Sequence, residues 1–412
     1  MKKFLALFLF SSSIAGFSGG FQLNLQSVRA TGFGGAYSGF AFGPAACLYN
    51  PAGLTTIKGH AFMYGINLIM PAVSLQTDAN DNIDMTSPMG TPMHFYYGGE
   101  ILKDKLYVGL AVNNLFGSSS SFAEDWQGRF IVQNINLRTF SFQPTLAYKI
   151  HDFFSLGAGF VLTTGNFNYE KAVPLYSDPA DYGKAVLSGN GLAYSFNLGV
   201  YSKPVDNDKM RLSIGVNYRH SQSLYLGDGV ATFTDIPSSL VTTFPATTAF
   251  TSTLTLPNVF TAGFAWTLKK DTTHSIMVAY DFQYTLWSVY DTLSFDFANI
   301  DTPDSKTDKL WKDSPTFRFG LEYGFRNMLF IRAGGYYDVS PVLDGYLSPE
   351  LPDMTQFVPT AGVGILIKEK FGLDISWMHQ DKERTAALTS AGWSAKYHRI
   401  ADIFSFSASF NF

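Results

Sequence analysis

The sequence predicts an all-β protein: a transmembrane antiparallel β-barrel of about 14 strands whose lumen is plugged by an N-terminal hatch. Three observations carry that reading. Segments along most of the chain alternate apolar and polar residues with a period of two. Short polar turns and long polar connections take turns between these segments. One stretch, Phe21 to Leu54, is apolar and glycine-rich yet alternates nowhere.

The first element is a secretory signal over residues 1–18. Lys2 and Lys3 form a positive start, Phe4 to Phe10 a short apolar core, and small residues lead to Gly16-Phe17-Ser18, with cleavage expected after Ser18. That core is too short to anchor the chain in a membrane, and no other stretch offers ~18 consecutive apolar residues. The formal net charge of -4 gives no reason to expect nucleic-acid binding. The single cysteine, Cys47, cannot form an internal disulfide and lies far from any lipoprotein anchor position. With 16% aromatic and only 15% charged residues, the secreted chain is either a large soluble β-protein or an outer-membrane barrel.

Next comes Phe21 to Leu54, with one charge (Arg29) and six glycines. It is too irregular for a strand and too apolar for a solvated tail, so it needs a protected place. Residues 19–58 are expected to form the hatch and 59–412 the barrel.

The strands follow. Met210, Leu212, Ile214, Val216 and Tyr218 alternate with Arg211, Ser213, Gly215 and Asn217. Phe317, Phe319, Leu321, Tyr323 and Phe325 alternate with Arg318, Gly320, Glu322 and Gly324. Phe371, Leu373, Ile375 and Trp377 alternate with Gly372, Asp374 and Ser376. A period of two marks a strand with one apolar face. Short turns are read at 103–105, 151–152, 205–209, 269–273 and 326–327. Longer connections are read at 75–91, 117–134, 170–189, 227–250, 296–313, 340–355 and 381–396. Short turns on one side and long loops on the other belong to a transmembrane barrel. Aromatic pairs at strand ends, Tyr96-Tyr97 and Tyr336-Tyr337, fit interfacial girdles.

The last segment, Phe404 to Phe412, alternates phenylalanine and alanine with serine and asparagine. It reads as the strand that closes the cylinder and removes the sheet edge. Its terminal Phe412 resembles the signal read by the outer-membrane barrel assembly machinery. Counting such segments after Gly59 gives about fourteen, which leaves about 25 residues for each strand and connection and makes a lumen too wide for its own side chains to fill.

Three blocks occur in order: Gly20-Phe21-Gln22-Leu23-Asn24, Ala36-Tyr37-Ser38-Gly39 and Asn50-Pro51-Ala52. Further matches are Pro92-Met93-His94-Phe95, Trp311-Lys312-Asp313, Ser340-Pro341-Val342 with Pro352-Asp353, and Trp377-Met378-His379. Together they resemble the FadL/TodX family of outer-membrane transporters for long-chain fatty acids and other hydrophobic compounds, over essentially the whole chain. The resemblance implies a fourteen-stranded barrel in the bacterial outer membrane. It also implies capture among extracellular loops, a deeper site, and sideways exit through a gap in the wall.

The resemblance also points to residues. Asn50, Pro51 and Ala52 would pin the hatch beneath a wall defect; proline fixes φ and an asparagine side chain caps a turn. The defect is expected in the strand Leu106 to Gly117, at Asn113, Asn114 and Gly117, where two polar residues and a glycine suit a strand leaving its ladder; the same residues also read as that strand's extracellular end. For a carboxylate ligand, Lys171 and the cluster Lys306, Lys309 and Lys312 match the family's basic positions; as loop lysines they also read as solvated. Phe21 would reach the ligand from the hatch. The loops at 170–189 and 227–250 would carry part of the capture site.

No Gly-x-Ser-x-Gly, His-Glu-x-x-His or phosphate-loop motif is present, and His379 with Asp381 reads as girdle and loop rather than as catalytic machinery. Neither enzyme activity nor a cofactor or metal is expected. The expected partners are fatty acids or other hydrophobic small molecules, with outer-membrane lipid and lipopolysaccharide around a monomeric barrel. Two alternatives accompany this reading: an aromatic-hydrocarbon transporter of the toluene type, and a structural or adhesin-type barrel.

Overall fold

The structure, a computed structural model, describes residues 19–77, 81–178, 181–269 and 273–412. The expected signal at 1–18 lies outside the described residues. Fourteen antiparallel strands form the wall. They are β1 (His60–Gln76), β2 (Met93–Leu102), β3 (Leu106–Asn113), β4 (Asn134–His151), β5 (Phe154–Val173), β6 (Gly183–Asp206), β7 (Met210–Arg219), β8 (Asn258–Lys269), β9 (His274–Leu286), β10 (Ser314–Phe325), β11 (Leu329–Asp338), β12 (Gln356–Ile367), β13 (Phe371–Leu388) and β14 (Trp393–Asn411). Each pairs with the next, and β14 pairs with β1 from Ala61↔Asn411 to Gln76↔Lys396, which closes the cylinder. Shorter strands such as Gly117–Ser121, Gln222–Thr234 and Thr247–Leu256 extend the wall on its long-loop side.

The alternation resolves inside out. On β4, Phe140, Phe142, Leu146 and Tyr148 are exposed on the outer surface, while Ser141, Gln143 and Thr145 are buried inside. Ile214 on β7 and Phe371, Leu373 and Ile375 on β13 also face out. A soluble sheet buries its apolar face; this wall presents it to the surroundings, as a barrel in lipid must. No described helix is long and apolar enough to cross a membrane.

The expected turns at 103–105 and 326–327 lie between strands, those at 151–152 and 205–209 overlap a strand end by one or two residues, and 270–272 of the turn at 269–273 lie outside the described residues. Several expected loops are in good part strand: β5 runs to Val173 and β6 starts at Gly183, Gln222–Thr234 and Thr247–Leu256 cover half of 227–250, and β13 and β14 leave only 389–392 between them. In these extensions the apolar residues turn inward, with Leu187, Leu224, Leu226 and Phe233 buried, so the ladder continues where the outward lipid-facing pattern has stopped.

Residues 19–57 occupy the interior. They form α1 (Val28–Gly32), capped by the Ser27 side chain, then α2 (Ala46–Tyr49), then a 3₁₀ turn at Pro51–Thr56. Most residues of this stretch are buried, and it meets the inward side of all fourteen strands. Thus the segment that suited neither strand nor solvent finds its surroundings in the lumen.

Candidate functional site

β3 breaks after Asn113. That residue still pairs with His94 on β2 and Ser141 on β4, and Gly117 next pairs with Arg138 on β4. The broken strand takes four steps (113 to 117) where its partner takes three (141 to 138), so one residue is extra and the backbone bulges. Beyond this point the ladder to β2 ends. The Asn114 side chain bridges the gap, accepting from Met93 N at 3.0 Å and donating to the Thr139 carbonyl at 2.7 Å. The inner segment takes up the vacated pairing: Leu23 N donates to the Leu115 carbonyl at 2.9 Å, and Gly117 N to the Phe21 carbonyl at 3.0 Å. The bulge therefore faces the first residues of the inner segment. The Asn50-Pro51-Ala52 turn packs elsewhere, against β5 and β6.

Phe21 stands at the junction of this break with a cavity. Its ring lies 5.1 Å from that of Trp287, 5.4 Å from Tyr290, 5.6 Å from Trp311 and 6.1 Å from Phe116 (centroid to centroid). Gly20 beside it has φ +71°, and a Cβ there would run into the Trp287 and Trp311 rings, so this position needs glycine on two counts. The cavity, partly open to its surroundings, spans about 680 Å³ of space with open solvent included, and Phe21, Leu137, Leu254, Tyr290 and Trp311 give it a mainly apolar wall. A second cavity of about 670 Å³, open solvent included, lies past Phe116 and is more polar than the first, with Gln22, Asn24, Arg219, Asp281 and Arg318 beside Leu48, Leu115 and Val259 in its wall.

Two charges reach the apolar cavity, Lys309 and Glu350, and they hold each other. Lys309 Nζ donates to Glu350 Oε2 at 2.6 Å, with both side chains at most a tenth exposed. Tyr169 Oη lies 3.0 Å from the other carboxylate oxygen and 2.5 Å from the Ile131 carbonyl, and shares its single O–H between these two acceptors. Burial alone would lower the Lys309 ammonium, but the carboxylate beside it holds it above its usual range. Burial likewise would raise Glu350, but Lys309 keeps it below the usual carboxylate range. Both stay charged, and the pair as a whole is neutral.

The Asn50 side chain caps the turn that follows it, accepting from Ala52 N at 3.3 Å, and its amide donates to the Ser38 carbonyl at 3.2 Å and to the Val200 carbonyl on β6 at 2.9 Å. Gly199 leaves room for it, since a Cβ there would meet Asn50 and Pro51. On the opposite wall, Arg29 donates from Nε and Nη2 to Glu322 at 3.0 and 2.7 Å; Arg332 donates to Glu322 at 2.6 Å and to Asp374 at 2.5 Å.

Of the predicted ligand residues, Phe21 and Lys309 line the cavity. Lys171 lies near the end of β5, half-buried and within electrostatic reach of Glu350, but does not line it. Lys312 and Lys306 are exposed. Sequence reasoning missed Glu350, Tyr169 and Tyr290. Only Glu350 left a signal: an acid in the otherwise apolar and small-residue run Leu347-Ser348-Pro349-Glu350-Leu351.

Comparison with known proteins bears on the whole chain. The profile of the outer membrane protein transport protein (OMPP1/FadL/TodX) family matches residues 9–412. The long-chain fatty acid transport protein of Salmonella typhi is 25% identical, over 92% of this chain and 91% of that protein. Its counterpart in Escherichia coli K12 is 24% identical over 92% of both. Among solved structures, a Pseudomonas aeruginosa FadL homologue has a TM-score of 0.81 at 17% identity, covering 96% of this chain and all of that one (100%). The Pseudomonas putida toluene transporter TodX has a TM-score of 0.72 at 15% identity, covering 97% and 99%. The structural matches share this barrel fold.

Proposed function

Because the chain belongs to the OMPP1/FadL/TodX family of outer-membrane transport proteins, we propose that it passively admits hydrophobic compounds through the outer membrane, long-chain fatty acids foremost. The observation that carries this reading is the juxtaposition at Phe21: one side chain lines an apolar cavity on the loop side while its own backbone pairs with the broken edge of β3. A molecule in that cavity has polar walls ahead, past Phe116, and a gap in the barrel wall beside it. An apolar solute gains roughly 0.8 kcal/mol per CH₂ on leaving water for lipid, so sideways exit is downhill and needs no energy source.

In this reading residues 19–58 act as the hatch and 59–412 as the barrel. Asn50, Pro51 and Ala52 hold the hatch against the wall, and Asn113, Asn114 and Gly117 frame the lateral opening. Phe21 and Lys309 meet the ligand in the cavity. Lys171 and exposed Lys312 are placed to greet a carboxylate nearer the loops. A second reading, aromatic hydrocarbons, is favoured by the ring-lined cavity and by Lys309 already having a counterion.

The test is uptake by cells that lack their own transporter. Expression of this chain is expected to confer uptake of labelled oleate, and Phe21→Ala to reduce it severalfold. Unchanged uptake of both oleate and toluene on expression would favour the structural or adhesin-type barrel.

A further inference from the structure

We propose that Glu350 sets the charge of what the cavity accepts: by serving as resident counterion to Lys309, it reserves the cavity for uncharged apolar matter, a hydrocarbon or the tail of a fatty acid, and keeps a carboxylate out. This rests on the uptake function proposed above and names its selectivity.

Lys309 and Glu350 are the one cation and the one anion among the described residues that line the cavity. The lysine's short ion pair at 2.6 Å uses one carboxylate oxygen, and the Tyr169 hydroxyl, shared with the Ile131 carbonyl, lies 3.0 Å from the other. Glu350 is also fixed through its backbone. Its carbonyl accepts from Ser120 Oγ at 2.9 Å, on the segment that resumes after the β3 break, and its N–H donates to Ser348 Oγ at 3.3 Å. A carboxylate reaching for Lys309 must therefore displace a neighbour held at four atoms. If it fails, it lies beside a like charge in an apolar enclosure, the arrangement that burial penalises most. An alkyl chain or an aromatic ring meets no such barrier and packs on Phe21, Leu137, Leu254 and Trp311. Lys171, the second cation in reach of Glu350, stands outside the cavity and reinforces the carboxylate's ionised state.

The experiment uses the full-length protein in lipid nanodiscs at pH 8, with Trp126, Trp266, Trp377 and Trp393 replaced by phenylalanine so that only the cavity tryptophan Trp311 and its neighbour Trp287 report, and reads their quenching. The probes are 9,10-dibromostearate and its methyl ester, equal in chain and different in charge. The wild type is expected to bind the two within about threefold. Glu350→Gln frees Lys309 and is expected to shift the acid-to-ester ratio at least tenfold toward the acid, the scale of one charge-assisted hydrogen bond. Lys309→Met/Glu350→Met removes both charges together, and heat-modified gel mobility confirms that it is folded. Its acid-to-ester ratio is expected to stay near that of the wild type, because Lys309 does not serve the acid there. The proposal is overturned by a wild type that prefers the acid tenfold, by a ratio that Glu350→Gln leaves unmoved, or by a tenfold loss of acid preference in the double variant. Quenching by neither probe would overturn it by removing the cavity as a binding site. Quenching by both at one of those overturning ratios would remove the selectivity alone and leave the uptake function standing, whereas a wild type that favours the ester supports the exclusion.

Discussion

Two buried ionic clusters in this barrel use the same chemistry to different ends. At the anchor, Arg29 of the inner segment shares Glu322 with Arg332, and Arg332 reaches Asp374, so two cations and two anions from α1, β10, β11 and β13 are joined. At the cavity, one lysine and one glutamate from two loops face each other across 2.6 Å. The anchor groups sit on strands whose positions the whole cylinder fixes, with Arg29 further covered by the rings of Phe40 and Phe42. The cavity pair sits on loops beside about 680 Å³ of empty space. Buried pairs contribute little net stability when intact and cost much when broken. What a pair does therefore depends on whether a ligand can reach it: the anchor holds the lumen's contents to the wall, and the cavity pair filters what enters.

The largest expected effect comes from breaking the anchor. Glu322→Ala leaves two buried guanidiniums without their shared carboxylate and should destabilise the protein by roughly 3–5 kcal/mol. Unfolding in denaturant, followed by gel mobility, measures this. A loss below ~1 kcal/mol would mean that water relieves the anchor and that the contrast with the cavity is false. Glu350→Gln should cost less, about 1–3 kcal/mol, because a neutral acceptor remains and the loops can shift.

The pH response sharpens the contrast. In the wild type Glu350 is held below its ordinary value and Lys309 above, so the pair's contribution is complete between the unfolded values of about 4.3 and 10.4. It is lost only as pH falls through the lowered Glu350 value or rises through the raised Lys309 value. The pair thus adds no slope between pH 6 and 9. In Glu350→Gln burial acts on Lys309 unopposed and depresses it, so the unfolded chain binds more protons than the native one and stability must rise with pH. Melting temperature measured from pH 6 to 10 should rise in the variant relative to the wild type. A parallel pair of curves would show that Lys309 is hydrated and not enclosed.

The outward face of this fold was legible because one physical rule writes it: strands in lipid alternate, and the run from Met210 to Tyr218 or from Phe371 to Trp377 declares a strand without help. The strand ends in the loops were illegible for the converse reason, since from Gly183 or Gln222 onward the apolar residues, such as Leu187, Leu224 and Leu226, face inward and the outer face no longer carries the lipid pattern. Phe21 and Lys309 were legible as ligand candidates through family resemblance. Glu350 was not, because its role depends on a partner 41 residues away in sequence that only the loop packing brings to it. Asn50 was read correctly as a turn cap, yet the wall it touches, β5 and β6 and not the β3 break, is a matter of how the inner segment coils within the lumen.

Phe21→Ala tests the cavity wall apart from its charges. The substitution removes the ring that touches Trp287, Tyr290, Trp311 and Phe116 but keeps the backbone pairing to Gly117. Affinity for the uncharged ester should fall about tenfold, with the acid-to-ester ratio unmoved, since apolar contact and charge selection are then separate properties of one cavity. A changed ratio would couple them and blur the division of labour between ring and ion pair.

The smallest expected effect is the most useful control. Lys312 stands three residues from Lys309 with the same charge, and differs only in lying exposed at the surface. An exposed lysine interacts through water and salt, so Lys312→Ala should change stability by less than ~0.5 kcal/mol. Dibromostearate quenching of the cavity tryptophans should change by less than twofold, and any slowing should appear in the association rate at low ionic strength, where a surface cation steers an anion and salt abolishes the effect. If Lys312→Ala instead abolished binding of the acid at equilibrium, the carboxylate would have its partner at the surface position, and burial would no longer be what separates a cation that filters cargo from one that merely greets it.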